Sequence, residues 1–164
     1  MSEADDSAHW RRTTASRLAA VQALYQIDRD AQSKHTALDI ALARGAVLDD
    51  EGRTADIDRD VTTGIVKGVI SADGERLDEM VDGALAEGWS LARLESLMRA
   101  LLRAGVHELL NEPSVPVRVI ISDYVDIAHA FYDRGEPGMV NAVLDRLARL
   151  LRPQDFEEYR AARG

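Results

Sequence analysis

The sequence predicts an all-α protein, a compact bundle of about seven helices, and three observations carry that expectation. Apolar residues recur at three- and four-residue spacing through most of the 164-residue chain. The breaks between these stretches fall at residues that stop or start helices, Gly45, Pro113 and Pro137. No segment has the alternating, β-branched character of a strand, apart from Val117 to Ile121, which is short and merges into helical spacing.

Residues 1–13 are polar, acidic and without periodicity and read as a disordered tail, leaving 14–164 as a single domain. The first helix starts near Ala15, with Thr14 as its N-cap and Leu18, Val21, Leu24/Tyr25 and Asp28 on one face. A second covers about 36 to 44 and stops before Gly45. Segment 45–55 reads as an acidic loop from its Gly, Asp and Thr content. A third helix, about 56 to 72, carries Ile57, Val61, Ile65, Val69 and Ile70. Gly64 and Gly68 lie on one side of it, a spacing that points to close helix packing. The fourth helix covers about 74 to 87. The fifth covers about 90 to 111, with Ser90 as N-cap and Pro113 ending it, because proline cannot continue the hydrogen-bond ladder. A sixth, about 117 to 132, buries Ile120/Ile121, Tyr124, Ala128 and Phe131. The seventh begins near Pro137 and buries Val140, Val143/Leu144, Leu147 and Leu151. A short amphipathic tail, about 154 to 162, follows.

Composition excludes several classes. Zero cysteines rule out a disulfide framework, a thiolate zinc site and a cysteine nucleophile, and fit a reducing cytoplasm. No apolar run approaches the roughly 20 residues that span a bilayer, and Met1-Ser2-Glu3-Ala4-Asp5-Asp6 lacks the basic and apolar regions of a secretory signal. A cytoplasmic protein is expected. The net charge of −9 opposes indiscriminate binding to polyanions, yet leaves room for a local basic site. Acidic residues gather in Asp49-Asp50-Glu51 and around Asp56, Asp58 and Asp60. Basic ones gather at Arg11, Arg12 and Arg17, and at Arg146, Arg149 and Arg152.

Enzyme chemistry finds no support. The four histidines have no i, i+4 carboxylate pairing suited to zinc, and there is neither a phosphate-cradling loop nor a nucleophile elbow. Asp56-Ile57-Asp58-Arg59-Asp60 superficially resembles a calcium loop, but Val61 occupies the place of the turn glycine. No metal and no cofactor is expected. Asp123, Asn141 and Asp145 interrupt apolar helical pattern, and a buried carboxylate or amide needs hydrogen bonds. They read as structural ties, between the sixth and seventh helices or from a helix to loop backbone. Arg11, Arg12 and Arg17 flank a helix start, where free N–H groups favour anions, and are the candidates to hold phosphates.

Two separated motifs bear a resemblance. One is Arg17-Leu18-Ala19-Ala20-Val21-Gln22-Ala23-Leu24-Tyr25. The other spans Leu102-Arg103-Ala104-Gly105-Val106-His107-Glu108-Leu109, Ile121-Ser122-Asp123-Tyr124 and Met139-Val140-Asn141-Ala142-Val143-Leu144-Asp145. Together they resemble the NusB family of bacterial transcription antitermination factors. The resemblance covers about half of the chain, and Glu108 falls on the family's glutamate. It implies two helical subdomains, pairing with the ribosomal protein NusE, binding to the boxA element of nascent RNA, and a place in the transcribing RNA polymerase complex. It also implies that Arg11, Arg12 and Arg17 contact RNA, with Met139 and Asn141 on the same surface, and that a homodimer hiding that surface is an available form. Three positions depart from the family pattern: the N-terminal arginine run is thinned, Ile-Asn-Glu becomes Ile121-Ser122-Asp123, and Met139 stands where a phenylalanine is common. Helix facing places Glu95 and Arg99 on the partner surface as exposed charges, so charge reversal at Arg99 is expected to weaken partner binding without lowering thermal stability. Glu108, Asp123 and Asp145 are assigned structural roles. The rival readings are a protein–protein adaptor with weak or no RNA binding, and the RNA-binding domain of a ribosomal RNA methyltransferase. The chain offers neither the βα cofactor pattern nor the catalytic cysteine that the second requires.

Overall fold

A computed structural model describes residues 11–49, 51–71 and 74–163. Eight α-helices account for most of them: α1 (Arg12–Arg29), α2 (Ala37–Arg44), α3 (Arg59–Ile70), α4 (Gly74–Ala84), α5 (Ser96–Asn111), α6 (Val117–Phe131), α7 (Glu136–Leu151) and α8 (Pro153–Arg163). Two 3₁₀ turns, Ala31–His35 and Leu91–Arg93, precede α2 and α5. The all-α expectation holds, with one addition.

The acidic segment expected to be a loop forms a small antiparallel hairpin, β1 (Ala46–Leu48) and β2 (Thr54–Asp56), with Val47 opposite Ala55. Its turn is organised by Asp49, whose carboxylate accepts from the backbone N–H groups of Glu51 (2.9 Å) and Arg53 (2.7 Å). Val47 and Ala55 are buried, and the hairpin packs against α1. Gly45 joins α2 to β1 at φ +66°, a left-handed conformation that glycine adopts without a Cβ clash.

α1 begins earlier than its sequence pattern suggests. Its N-cap is Arg11, not Thr14. Arg12 and Thr13, expected in a disordered tail, are helical; residues 1–10 of that tail lie outside the described residues. Ser16, one turn in, is fully buried and works as a joint to α3. Its hydroxyl accepts from the Asp58 N–H (2.7 Å), and its carbonyl accepts from the Thr62 hydroxyl (2.9 Å). Asp58 is the N-cap of α3, accepting from the Asp60 and Val61 N–H groups, which moves the start of that helix past the expected residue 56.

α5 lies at the centre. Met98, Leu101, Leu102, Val106 and Leu109 are buried along it, against Leu18 and Val21 of α1, Ile120, Tyr124 and Ile127 of α6, and Val140, Leu144 and Leu147 of α7. Ser90 caps only the short 3₁₀ turn and makes no side-chain cap bond; α5 proper starts at Ser96. Of the two glycines expected to permit close packing, Gly68 does so. A Cβ there would lie 1.9 Å from the His107 ring on α5, whereas one at Gly64 would meet nothing. Phe131, expected in the core, is 45% exposed because α6 ends there and turns its last side chain outward.

The C-terminal end of α5 is closed from a distance. Four of its last carbonyls, or those just after it, accept from the guanidinium of Arg152: Glu108 (2.7 Å), Leu109 (2.8 Å), Glu112 and Val115 (both 2.5 Å). Such carbonyls have no partner inside the helix, and an arginine here supplies donors and a favourable charge to the negative end of the helix dipole.

Candidate functional site

The exposed start of α1 is the natural place for an anion. Arg11, Arg12 and Thr13 are exposed, and among the described residues no side chain caps the helix, whose first N–H groups favour an anion.

Arg17 does something else. It is 3% exposed and turned into the core, where it makes a two-pronged pair with Glu108 of α5: Nε to Oε2 and Nη2 to Oε1, both 2.8 Å. Its Nη1 reaches Asp123 of α6 at 3.2 Å and the Thr13 carbonyl at 3.3 Å. The Thr14 hydroxyl donates to the other Asp123 oxygen (3.1 Å), and the Tyr124 hydroxyl donates to Glu108 (2.6 Å). Expected to hold phosphate, Arg17 is consumed by two internal carboxylates. Three helices are thereby tied through one guanidinium, whose planar fork suits such bidentate pairing.

Burial opposes charge on Arg17, but the Glu108 carboxylate overrides it and holds the guanidinium above its ordinary pKa. Burial also raises the Asp123 carboxyl above the usual range, more than Arg17 and Thr14 lower it. Tyr124, buried and facing Glu108, is raised well above the ordinary phenol value and stays a donor. Asp123 is tied to α1 and not across to α7, where the spacing with Asn141 and Asp145 had pointed.

The remaining candidates fall in separate places. Met139 is half-buried in a groove of about 480 Å³, together with Glu95, Trp89, Met98, Tyr132 and Arg146. Glu95 is exposed and accepts from the Tyr132 hydroxyl at 3.0 Å. Asn141 faces a different groove, between α6, α7 and α8. Asp145 pairs with Arg163 of α8 at 3.4 Å, while its other oxygen is buried with no hydrogen bond among the described residues, and burial raises its carboxyl.

Arg99 is not a free surface charge. It bonds to Asp28 of α1 (2.7 Å), the Leu94 carbonyl (2.5 Å) and the Ser96 hydroxyl (3.0 Å). The adjacent Arg103 bridges Asp28 (3.1 Å) and Asp78 of α4 (2.6 Å). Reversing Arg99 would set a carboxylate against Asp28, so the expectation of unchanged stability does not survive. Sequence reasoning also missed Trp89, 57% exposed in the Met139 groove; a tryptophan in the polar run Glu87-Gly88-Trp89-Ser90 was the signal for it.

The protein is mainly helical, with its N-terminal helix clasped to its C-terminal half by a buried ion network and Arg11 and Arg12 exposed at the start of that helix. The NusB family model matches residues 14–149, and the chain belongs to that family. It is 46% identical over 162 residues to the transcription antitermination protein NusB of Rhodospirillum rubrum, covering 88% of this chain and 87% of that protein. The same-named protein of Bradyrhizobium diazoefficiens is 44% identical over 150 residues, covering 88% of each. A solved structure of NusB from T. maritima superposes with a TM-score of 0.65 at 27% identity, covering 87% of this chain and 94% of that one.

Proposed function

We propose that this transcription antitermination factor acts by holding boxA-type single-stranded RNA at the start of α1 and pairing with the ribosomal protein NusE in the transcribing polymerase complex. Family membership over residues 14–149 carries the reading. The exposed Arg11 and Arg12, beside a first turn of α1 that no side chain among the described residues caps, support the RNA contact. Met139, with Glu95 in the same groove, and Asn141 in the next are the further candidates on the RNA and partner surfaces. Action on a nascent transcript places the protein in the bacterial cytoplasm. No helix among the described residues is long and apolar enough to cross a membrane.

The test is fluorescence anisotropy of a labelled boxA RNA, with and without NusE, at low and moderate salt. Binding that strengthens with NusE and weakens with salt supports the reading. Replacing Arg11 and Arg12 by alanine should flatten the slope of log affinity against log salt by about 1.4, roughly 0.7 per phosphate contact on a single strand. A second reading, an adaptor that binds NusE with little RNA affinity, is favoured by the burial of Arg17, which leaves the helix start one cation poorer. NusE binding without RNA selectivity would select it.

A further inference from the structure

The family match ends at residue 149, before α8 begins, yet α8 is built firmly into the molecule. Phe156 is buried beneath it, and the Asp155 carboxylate accepts from the Val117 N–H at the start of α6 (3.3 Å). Between α8, α6 and α7 lies a groove of about 280 Å³ with Ile121 and Val125 on its α6 wall and the polar side chains of Arg118, Asp126, Asn141 and Arg163 around it.

Two cations face this groove in different states. Arg118 is exposed and, among the described residues, has no hydrogen-bond or ion-pair partner. Arg163 is pre-positioned: it donates to the Tyr159 hydroxyl at 2.7 Å, lies over that ring at 5.2 Å, and pairs with Asp145 at 3.4 Å while remaining 54% exposed. Among the described residues that line the groove, the one acidic side chain is Asp126. Burial raises its carboxyl, and His129 and Arg11 pull against that rise. Arg11 therefore lies within electrostatic reach of Asp126, and since α1 packs against α6 the start of α1 is close to the Asp126 end of the groove. From Asp126 to Arg118 the helix rises about 12 Å, a span that a short stretch of extended single strand covers.

We propose that the α6–α7–α8 groove is a second contact on the same RNA, with Arg118 and Arg163 holding backbone phosphates and Tyr159, Asn141 and Ser122 offering hydrogen bonds beside them. The inference rests on the RNA-binding reading above and extends it to a helix that the family match does not include. Phosphate contacts of this kind position the strand without reading its sequence.

The experiment measures binding of a labelled single-stranded boxA RNA to the full chain over a salt series. Arg118→Ala, Arg163→Ala, their double variant and an Arg11→Ala/Arg12→Ala variant are compared with the unaltered protein, each checked for an unchanged helical spectrum and melt. Each groove variant should weaken binding about fivefold and lower the salt slope by about 0.7, with Arg163→Lys keeping part of the affinity. Full affinity in the double variant, with loss in the Arg11/Arg12 variant, overturns the groove contact and leaves RNA binding at α1 standing. A loss of affinity with an unchanged salt slope, or a loss of NusE binding alone, also overturns it. An unaltered protein that does not bind RNA at low salt overturns both readings together.

Discussion

Two ion clusters bridge α1 to α5, and they are built in opposite ways. The inner one, Arg17 with Glu108 and Asp123, is sealed: the Arg17 and Glu108 side chains are 4% and 2% exposed. The outer one, Asp28 with Arg99 and Arg103, lies at the rim with its side chains about one-fifth open to water. In the inner cluster each charge depends on its partner, because no solvent stands in when one is removed. In the outer cluster water and salt replace much of what a substitution takes away. The same pair of helices is thus joined by a contact that fails all at once and by one that weakens gradually.

The largest effect is expected from Arg17→Ala, which strands Glu108 and Asp123 together in the core. Chemical denaturation should show a loss of about 3–5 kcal/mol, and a loss below 1 kcal/mol would mean that water enters the site. Tyr124→Phe removes one donor while Arg17 still satisfies the same Glu108 oxygen, so about 1 kcal/mol is expected from the same measurement. Arg99→Glu should also cost about 1 kcal/mol, through lost bonds to Asp28 and the Leu94 carbonyl, and the cost should shrink as salt rises. An equal cost at all salt concentrations would place Arg99 with the inner cluster.

The smallest effects are in the pH dependence, where the clusters differ in sign. Partial burial opposes the Asp28 charge, but donors from Arg99, Arg103 and Ser96 outweigh it and hold the carboxyl below its usual range. Its stabilising share is present above the ordinary carboxylate range and is lost as pH falls through the lowered value. Asp123 is raised by burial, so its share is fullest when it is protonated and declines as pH rises from the ordinary range through the raised value. Stability measured between about pH 3 and about pH 6 should therefore flatten at the low end in Asp28→Asn and at the high end in Asp123→Asn. The reverse assignment would show that Asp123 is the better-solvated carboxylate.

The helices are the part written locally in the chain, whereas the outer cluster joins residues that lie 71 and 75 positions apart. Gly45, Pro113 and Pro137 mark helix ends, and the buried stripe of α7 follows from Val140, Val143/Leu144 and Leu147. The hairpin escaped because three-residue strands leave almost no alternation to detect, and only Val47 and Ala55 face inward. Arg17 was misplaced for a different reason. With Thr14 taken as the cap, Arg17 falls in the first turn and reads as solvent-facing. With the cap at Arg11 it lies a full turn deeper, on an inward face. Nothing near it in sequence signals this, because its partners are 91 and 106 residues away. The exposure of Arg11 and Arg12 followed from composition alone. Arg118 and Arg163 did not, because their shared groove exists only once α8 has folded back onto α6.

Those sequence separations also fix an order of events during synthesis. A chain emerging from the ribosome presents Arg17 long before Glu108, and Asp123 later still, so the first helix must wait with an arginine on its core-facing side. Arg152, which closes the end of α5, emerges last of all. The N-terminal third is therefore held back from a settled native form until nearly the whole chain is available. For a young chain this delays the settled form of α1, where Arg11 and Arg12 stand exposed, until the rest of the molecule is present.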